Sequence, residues 1–147
     1  MKKVFSLLAA IMVAVCLNVS VLAAEPKGVQ TRTVSVETLE NGITIVDTVT
    51  VNSVVQRSGI GAQRTVDCYN GNVRVGSVTL NANFTYDGIT AHATNASSSH
   101  WVASGWSYSG ESVYTSGATA YLSATISGST TIPVDITLTC DPYGNIY

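Results

Sequence analysis

The residues best suited to recognition chemistry stand in one stretch. Between Thr94 and Gly117 lie both tryptophans, Trp101 and Trp106, together with His100, Tyr108, Glu111 and Tyr114, spaced by serine and glycine. Aromatic platforms beside hydroxyls are a common way for extracellular modules to stack on sugar rings or to anchor a protein partner. Trp101, Trp106, Tyr108 and Tyr114 are therefore the candidate binding residues. Trp106 and Tyr108 share a face of any strand that holds both. If residues 101 to 109 form one uninterrupted strand, the odd separation of Trp101 and Trp106 sends those two to opposite faces. Two placements stay open: Trp106 and Tyr108 form an exposed strip beside Ser104, or they fill the core while Trp101 covers a strand end. A bulge at Gly105 would exchange the faces.

Catalytic patterns are scarce by comparison. Gly105-Trp106-Ser107-Tyr108-Ser109 has a serine where a nucleophile elbow needs its second glycine, and no helix pattern follows it. His92 sits on a polar face with Thr90 and Thr94, and His100 lies in a serine loop, so both read as exposed bystanders. No histidine pair has metal-ligand spacing, and no Asp-rich calcium loop occurs. Glu111 has no acidic residue two or four positions away, as a strand-borne carboxylate pair would require. The expectation is a non-enzymatic protein without metal or cofactor. Asn83-Phe84-Thr85 and Asn95-Ala96-Ser97 match the glycosylation sequon but read as accidental beside a bacterial type of leader.

Hydrophobic periodicity predicts the elements that must position these groups. Ala118, Ala120, Leu122, Ala124 and Ile126 alternate with polar residues and Tyr121. Ile132, Val134, Ile136, Leu138 and Cys140 do the same, as do Val78, Leu80, Ala82, Phe84 and Tyr86. Period two without period 3.6 argues half-buried antiparallel strands. Asn41-Gly42 and Asp87-Gly88 predict tight two-residue hairpins. The second pairs Tyr86 with Ile89, Phe84 with Ala91 and Ala82 with Ala93. The first pairs Val34 with Val49 and Thr38 with Ile45. Asn70-Gly71-Asn72 and Ser127-Gly128-Ser129 predict two further turns, and Ser53 to Ala62 reads as a loop crossing from the N-terminal hairpin to the rest. The predicted fold is all-β, an antiparallel β-sandwich of roughly eight or nine strands. An outer-membrane barrel is disfavoured because Asp141, Pro142, Gly144 and Asn145 interrupt the last strand.

Cys68 is in phase with Val66 and Cys140 with Leu138, so both sulfurs are expected in the core, joined as one inter-sheet disulfide. Such a bond would close a loop of about 73 residues and contribute roughly 4 kcal/mol. At the N-terminus, Lys2 and Lys3 precede an apolar run from Val4 to Leu22 that ends in Ala23 and Ala24. Charged start, apolar middle and small-residue exit predict a signal peptide over 1–24 and a single secreted domain over 25–147. Stable membrane insertion is not expected.

Charge narrows the partners. The mature chain keeps only Lys27, Arg32, Arg57, Arg64 and Arg74 as cations, and nothing beyond Arg74 is Lys or Arg. Nucleic acid and anionic lipid, both of which need clustered positive charge, are poor partners. A carbohydrate or a protein at the cell surface fits better. Thr-rich strands with few charges also suit self-association, because uncharged edges invite strand pairing.

The leader, the Thr/Ser-rich strands, the Asp-Gly turn within "VTLNANFTYDGITAHAT" and the closing "ITLTCDPYGN" resemble small secreted, mostly uncharacterised all-β proteins of Gram-positive gut bacteria. The resemblance spans residues 64 to 145 and implies no functional residues. "GATAYLSA" is more faintly similar to β-sandwich bacteriocins of the lactococcin 972 type. The expected role is a secreted binding module acting through the aromatic strip. The alternatives are a bacteriocin-like antagonist and a subunit of an extracellular assembly.

Overall fold

The computed structural model describes residues 28–56 and 59–147; the proposed signal peptide and Cys16 lie outside them. Eight antiparallel strands occur among the described residues: β1 (Val29–Thr38), β2 (Ile43–Gln56), β3 (Gly59–Asn70), β4 (Val73–Tyr86), β5 (Ala91–Val102), β6 (Ser107–Ser116), β7 (Thr119–Ser127) and β8 (Thr131–Thr139). They form a five-stranded sheet in the order β1-β2-β3-β4-β5 and a three-stranded sheet in the order β6-β7-β8. Every strand pairs with its sequence neighbour except at the step from β5 to β6, where the chain changes sheet. The all-β prediction holds, and the two sheets face each other in a sandwich-like arrangement.

The three alternating runs are the centre of this structure. On β4, Val78, Leu80, Ala82 and Phe84 are buried; on β7, Ala120, Leu122, Ala124 and Ile126; on β8, Ile132, Val134, Ile136 and Leu138. Their polar neighbours point outward, where threonines pair across strands: Thr65 with Thr79 at 2.8 Å, Thr31 with Thr50 at 3.0 Å and Thr119 with Thr139 at 3.0 Å. Period two thus becomes a dry inner face and a hydroxyl-rich outer one.

Turn chemistry set a different register from the predicted one in both Gly hairpins. The Asp87 carboxylate accepts the backbone N–H groups of Ile89 and Thr90, at 2.9 and 2.7 Å. That side-chain turn lengthens the loop to four residues, so Tyr86 pairs with Ala91 and Phe84 with Ala93. A bulge beyond Phe84 then aligns Ala82 with Ala96. In the first hairpin the Asn41 side chain accepts the Ile43 N–H, and Thr38 pairs with Thr44. The crossing loop expected over 53–62 is not found among its described residues: 53–56 continue β2 and 59–62 begin β3, with Gln56 opposite Gly59. The real crossing between sheets is the turn at 103–106, closed by the Trp106 N–H donating to the Ala103 carbonyl at 3.0 Å.

The predicted disulfide is absent: Cys68 and Cys140 are both buried free thiols. Register explains why. Cys68 pairs with Gly76, and Gly76 sits so close to Ile126 that an added Cβ would lie 2.6 Å from its Cδ1. Ile126 in turn pairs with Ile132, at the start of β8, whereas Cys140 lies just past its end. Eight residues at about 3.3 Å each put roughly 26 Å between the two levels of the sandwich. A bridge needs Cα atoms about 4.4–6.8 Å apart. Both sulfurs do face the core, but from opposite ends of it. Burial, aided by Asp67, pushes the Cys68 thiol up to about 11. At pH 8 only about one thousandth of it is thiolate, the reactive form. Alkylation of the native protein at pH 8 is expected to leave Cys68 unmodified, with modification after denaturation. Peptide mass mapping without reductant checks this, and a Cys68–Cys140 linked peptide would refute the register.

The smaller sheet leaves part of the larger one uncovered, and an ion pair marks the boundary. Asp47 on β2 and Arg64 on β3 both lie on the inner face. The Arg64 guanidinium donates from Nη2 to Asp47 Oδ2 at 2.6 Å and from Nε to Oδ1 at 3.0 Å. Its Nη1 reaches across to the Thr137 carbonyl on the edge of β8 at 2.9 Å. The hydrogen bonds it donates to Asp47 hold Arg64 protonated, above its ordinary value, despite desolvation.

Candidate functional site

The four aromatic residues singled out in the sequence do not form one strip. β5 ends at Val102 and β6 begins at Ser107, so Trp101 and Trp106 belong to different sheets. Trp106 is half-buried against the core. Its indole lies over Gly128 in the β7–β8 turn so closely that a Cβ there would come within 2.4 Å of the ring. Glycine is required at that turn because Trp106 occupies the space of a side chain. The placement of Trp106 as packing material, rather than an exposed platform, is the outcome.

Tyr108 also packs against the core, where it joins the two sheets at their seam. Its ring stacks on His100 of β5, with centroids 3.7 Å apart and planes 14° off parallel. Its hydroxyl donates to Glu111 Oε2 at 2.6 Å. Burial and that hydrogen bond both raise the Tyr108 pKa. Glu111 is held below the usual carboxylate range by Tyr108 first, then by a hydrogen bond to Ser98 and the nearby His100. A bulge between Ser109 and Ser112 turns Glu111 toward this cluster. His100 is thus a stacked strand residue, not a member of a serine loop. Tyrosine and glutamate are committed to each other, which makes the cluster a latch between β5 and β6.

Tyr114 is 53% exposed and stacks on Tyr121, with centroids 4.8 Å apart. It decorates the outer face of the three-stranded sheet, opposite Tyr121 in the β6–β7 ladder.

Trp101 remains, on the outer face of the five-stranded sheet, and is 49% exposed. It stands at the end of a straight cross-strand row: Val36 on β1, Val46 on β2, Asp67 on β3, Ser77 on β4 and Trp101 on β5. Arg74 lies over its ring, with Cζ 5.3 Å from the centroid. Such a contact contributes roughly 0.5–1 kcal/mol at an exposed site. Arg74 is held in turn by Asp67, with Nε 3.0 Å from Oδ1. The angle of that contact falls short of a hydrogen bond, so Asp67 Oδ1 is charge-paired without accepting one. Ser77, between them, is only 6% exposed although it points outward, as a side chain roofed by Arg74 and Trp101 would be. The result is an aromatic ring braced by a cation, on a flat field of Ser, Thr and Asn hydroxyls and amides.

Sequence reasoning included Trp101 but missed Arg74 and Asp67. A signal existed: the Asn70-Gly71 turn, with Gly71 at φ 60°, folds β3 onto β4 and makes Asp67 and Arg74 close neighbours. Trp101 joins them only through the β4–β5 register, which depends on the Asp87 turn and a bulge.

A shallow cleft of about 200 Å³ is lined by Thr85, Tyr86, Asp87, Thr90 and His92. It is smaller than the roughly 300–1,000 Å³ typical of small-molecule pockets. Among the described residues no three His, Cys, Asp or Glu side chains converge as metal ligands, and no helix is long and apolar enough to cross a membrane. Comparison of the chain with protein families, curated proteins and solved structures gave no match.

Proposed function

We propose that this protein is a secreted, non-catalytic binding module that recognises surface glycan through the outer face of its five-stranded sheet, centred on Trp101. The observation that carries the reading is the braced ring: Trp101 half-exposed, stacked by Arg74, with Arg74 pinned by Asp67. A ring fixed before contact loses little side-chain entropy on binding, which favours stacking against a sugar face. Arg74 retains free N–H donors for hydroxyls, and the neighbouring ladder presents Thr79 opposite Ser99. A flat site of this kind fits an extended polymer better than an enclosed small molecule. The absence of any Lys or Arg after Arg74 supports a neutral rather than an anionic ligand.

The test is co-sedimentation with insoluble polysaccharides and bacterial cell walls, comparing Trp101→Ala with the parent protein. Retention of the parent and an affinity loss of at least roughly tenfold in the variant are expected, the behaviour of a central aromatic contact. Thermal unfolding of the variant should stay close to the parent, because Trp101 lies outside the core. Retention unaffected by Trp101→Ala, or no retention on any matrix, rejects the reading.

A further inference from the structure

The least buried element is β1. All ten of its residues are exposed, including Val29, Val34 and Val36, and it is held by β2 along one edge only. Among the described residues nothing pairs with the other edge. Natural sheets protect such edges with proline, lysine or irregular pairing. In the smaller sheet one edge, β8, carries Pro133 near its start, and the other, β6, carries a bulge between Ser109 and Ser112. The edge of β5 is partly capped, with the Ala93 N–H donating to the Gly117 carbonyl at 2.8 Å. β1 has neither proline nor lysine, and its one irregularity is a register shift between Thr33 and Ser35.

Its two charges have a spatial relation that the sequence hides. Arg32 and Glu37 are five residues apart, which would place them on opposite faces of a regular strand. The register shift between Thr33 and Ser35 inserts one extra residue. Arg32 consequently pairs with Val49 and Glu37 with Ile45, positions four apart on β2, so both charges lie on the same face. Arg32 uses only Nη2 internally, donating to the Ile146 carbonyl at 3.0 Å.

We propose that the open edge of β1 pairs antiparallel with β1 of a second copy, joining two five-stranded sheets into one continuous sheet. A two-fold axis between Val34 and Ser35 sets Arg32 opposite Glu37 of the other copy, and symmetry repeats that ion pair. Thr33 then meets Val36 and Thr31 meets Thr38, each pair on a matching face. Sliding by one face-matched step sets Arg32 or Glu37 opposite Ser35 and forfeits both ion pairs; a second step brings Arg32 opposite Arg32, or Glu37 opposite Glu37, and like charges directly opposite are destabilising. Charge complementarity therefore selects both the partner and the register. The joined sheet also carries two Trp101 platforms on one outer face, although the pairing does not depend on what Trp101 binds.

Sedimentation of the purified protein over a concentration series tests this. A monomer–dimer equilibrium is expected, and Glu37→Arg or Arg32→Glu alone should weaken it roughly tenfold or more. An equimolar mixture of the two variants should regain dimerisation, because each acidic strand then faces a basic one. A protein that stays monomeric at every concentration overturns the proposal. So does a dimer indifferent to both variants, or a mixture no tighter than either variant alone. Should Arg32→Glu fail to fold, salt decides: the parent dimer should weaken as salt rises, and Glu37→Gln should lose that dependence. A parent dimer insensitive to salt removes the Arg32–Glu37 register.

Discussion

Replacing Asp47 with alanine is expected to cost about 3 kcal/mol of folding stability, the lower end of the range for breaking a buried ion pair. The Asp47 side chain is 10% exposed and that of Arg64 20%, so removing the carboxylate leaves a mostly desolvated guanidinium with one remaining protein bond, to the Thr137 carbonyl. Partial solvent access and that surviving bond keep the loss from being larger. The cost measures an orphaned charge, not the worth of the pair. Asp47→Ala combined with Arg64→Met should therefore recover most of the loss, since an apolar chain of similar length suits the inner face. Urea denaturation of both variants checks the sign. A single variant within about 0.5 kcal/mol of the parent would show a solvated pair of the surface kind.

Phe84→Ala should be at least as severe, at about 3–5 kcal/mol. Phe84 is 1% exposed, the bulkiest of the fully buried side chains, and lies in a core otherwise built of Ile, Leu, Val, Ala and two thiols. Small β-branched neighbours fixed on two hydrogen-bonded sheets cannot move in to fill the space, so the cavity term adds to the lost transfer energy. Phe84→Leu should cost much less. If the two variants melt together, the site collapses freely and the core is looser than its burial implies. For a domain of this size a loss of this magnitude is a large fraction of a typical stability of about 5–15 kcal/mol.

Much of the architecture was legible because a strand writes its burial at period two. Val78 to Phe84, Ala120 to Ile126 and Ile132 to Leu138 could be assigned to inner faces from the alternation alone, and the glycine turns between strands were found at Asn41-Gly42, Asn70-Gly71 and Asp87-Gly88. Residue types also showed that the aromatic chemistry is concentrated in β5 and β6. These properties are local, and each depends on side chains a few residues apart.

Which residues meet depended instead on contacts distant in the chain. The Asp87 and Asn41 side chains lengthened their turns, and single-residue bulges at Val34, beyond Phe84 and at Gly110–Glu111 shifted the ladders. A shift of one residue reverses a face, and its effect carries along the strand. Periodicity therefore put Cys68 and Cys140 correctly in the core yet could not tell that they occupy opposite ends of it. The same limit separated the four candidate aromatics. Trp106 and Tyr108 became packing at Gly128 and at the sheet seam, Tyr114 went to the smaller sheet, and Trp101 gained Arg74 and Asp67 from strands that no local pattern connects to it. Composition and alternation determined the sheets; turn and bulge geometry, summed over eight strands, determined the surface.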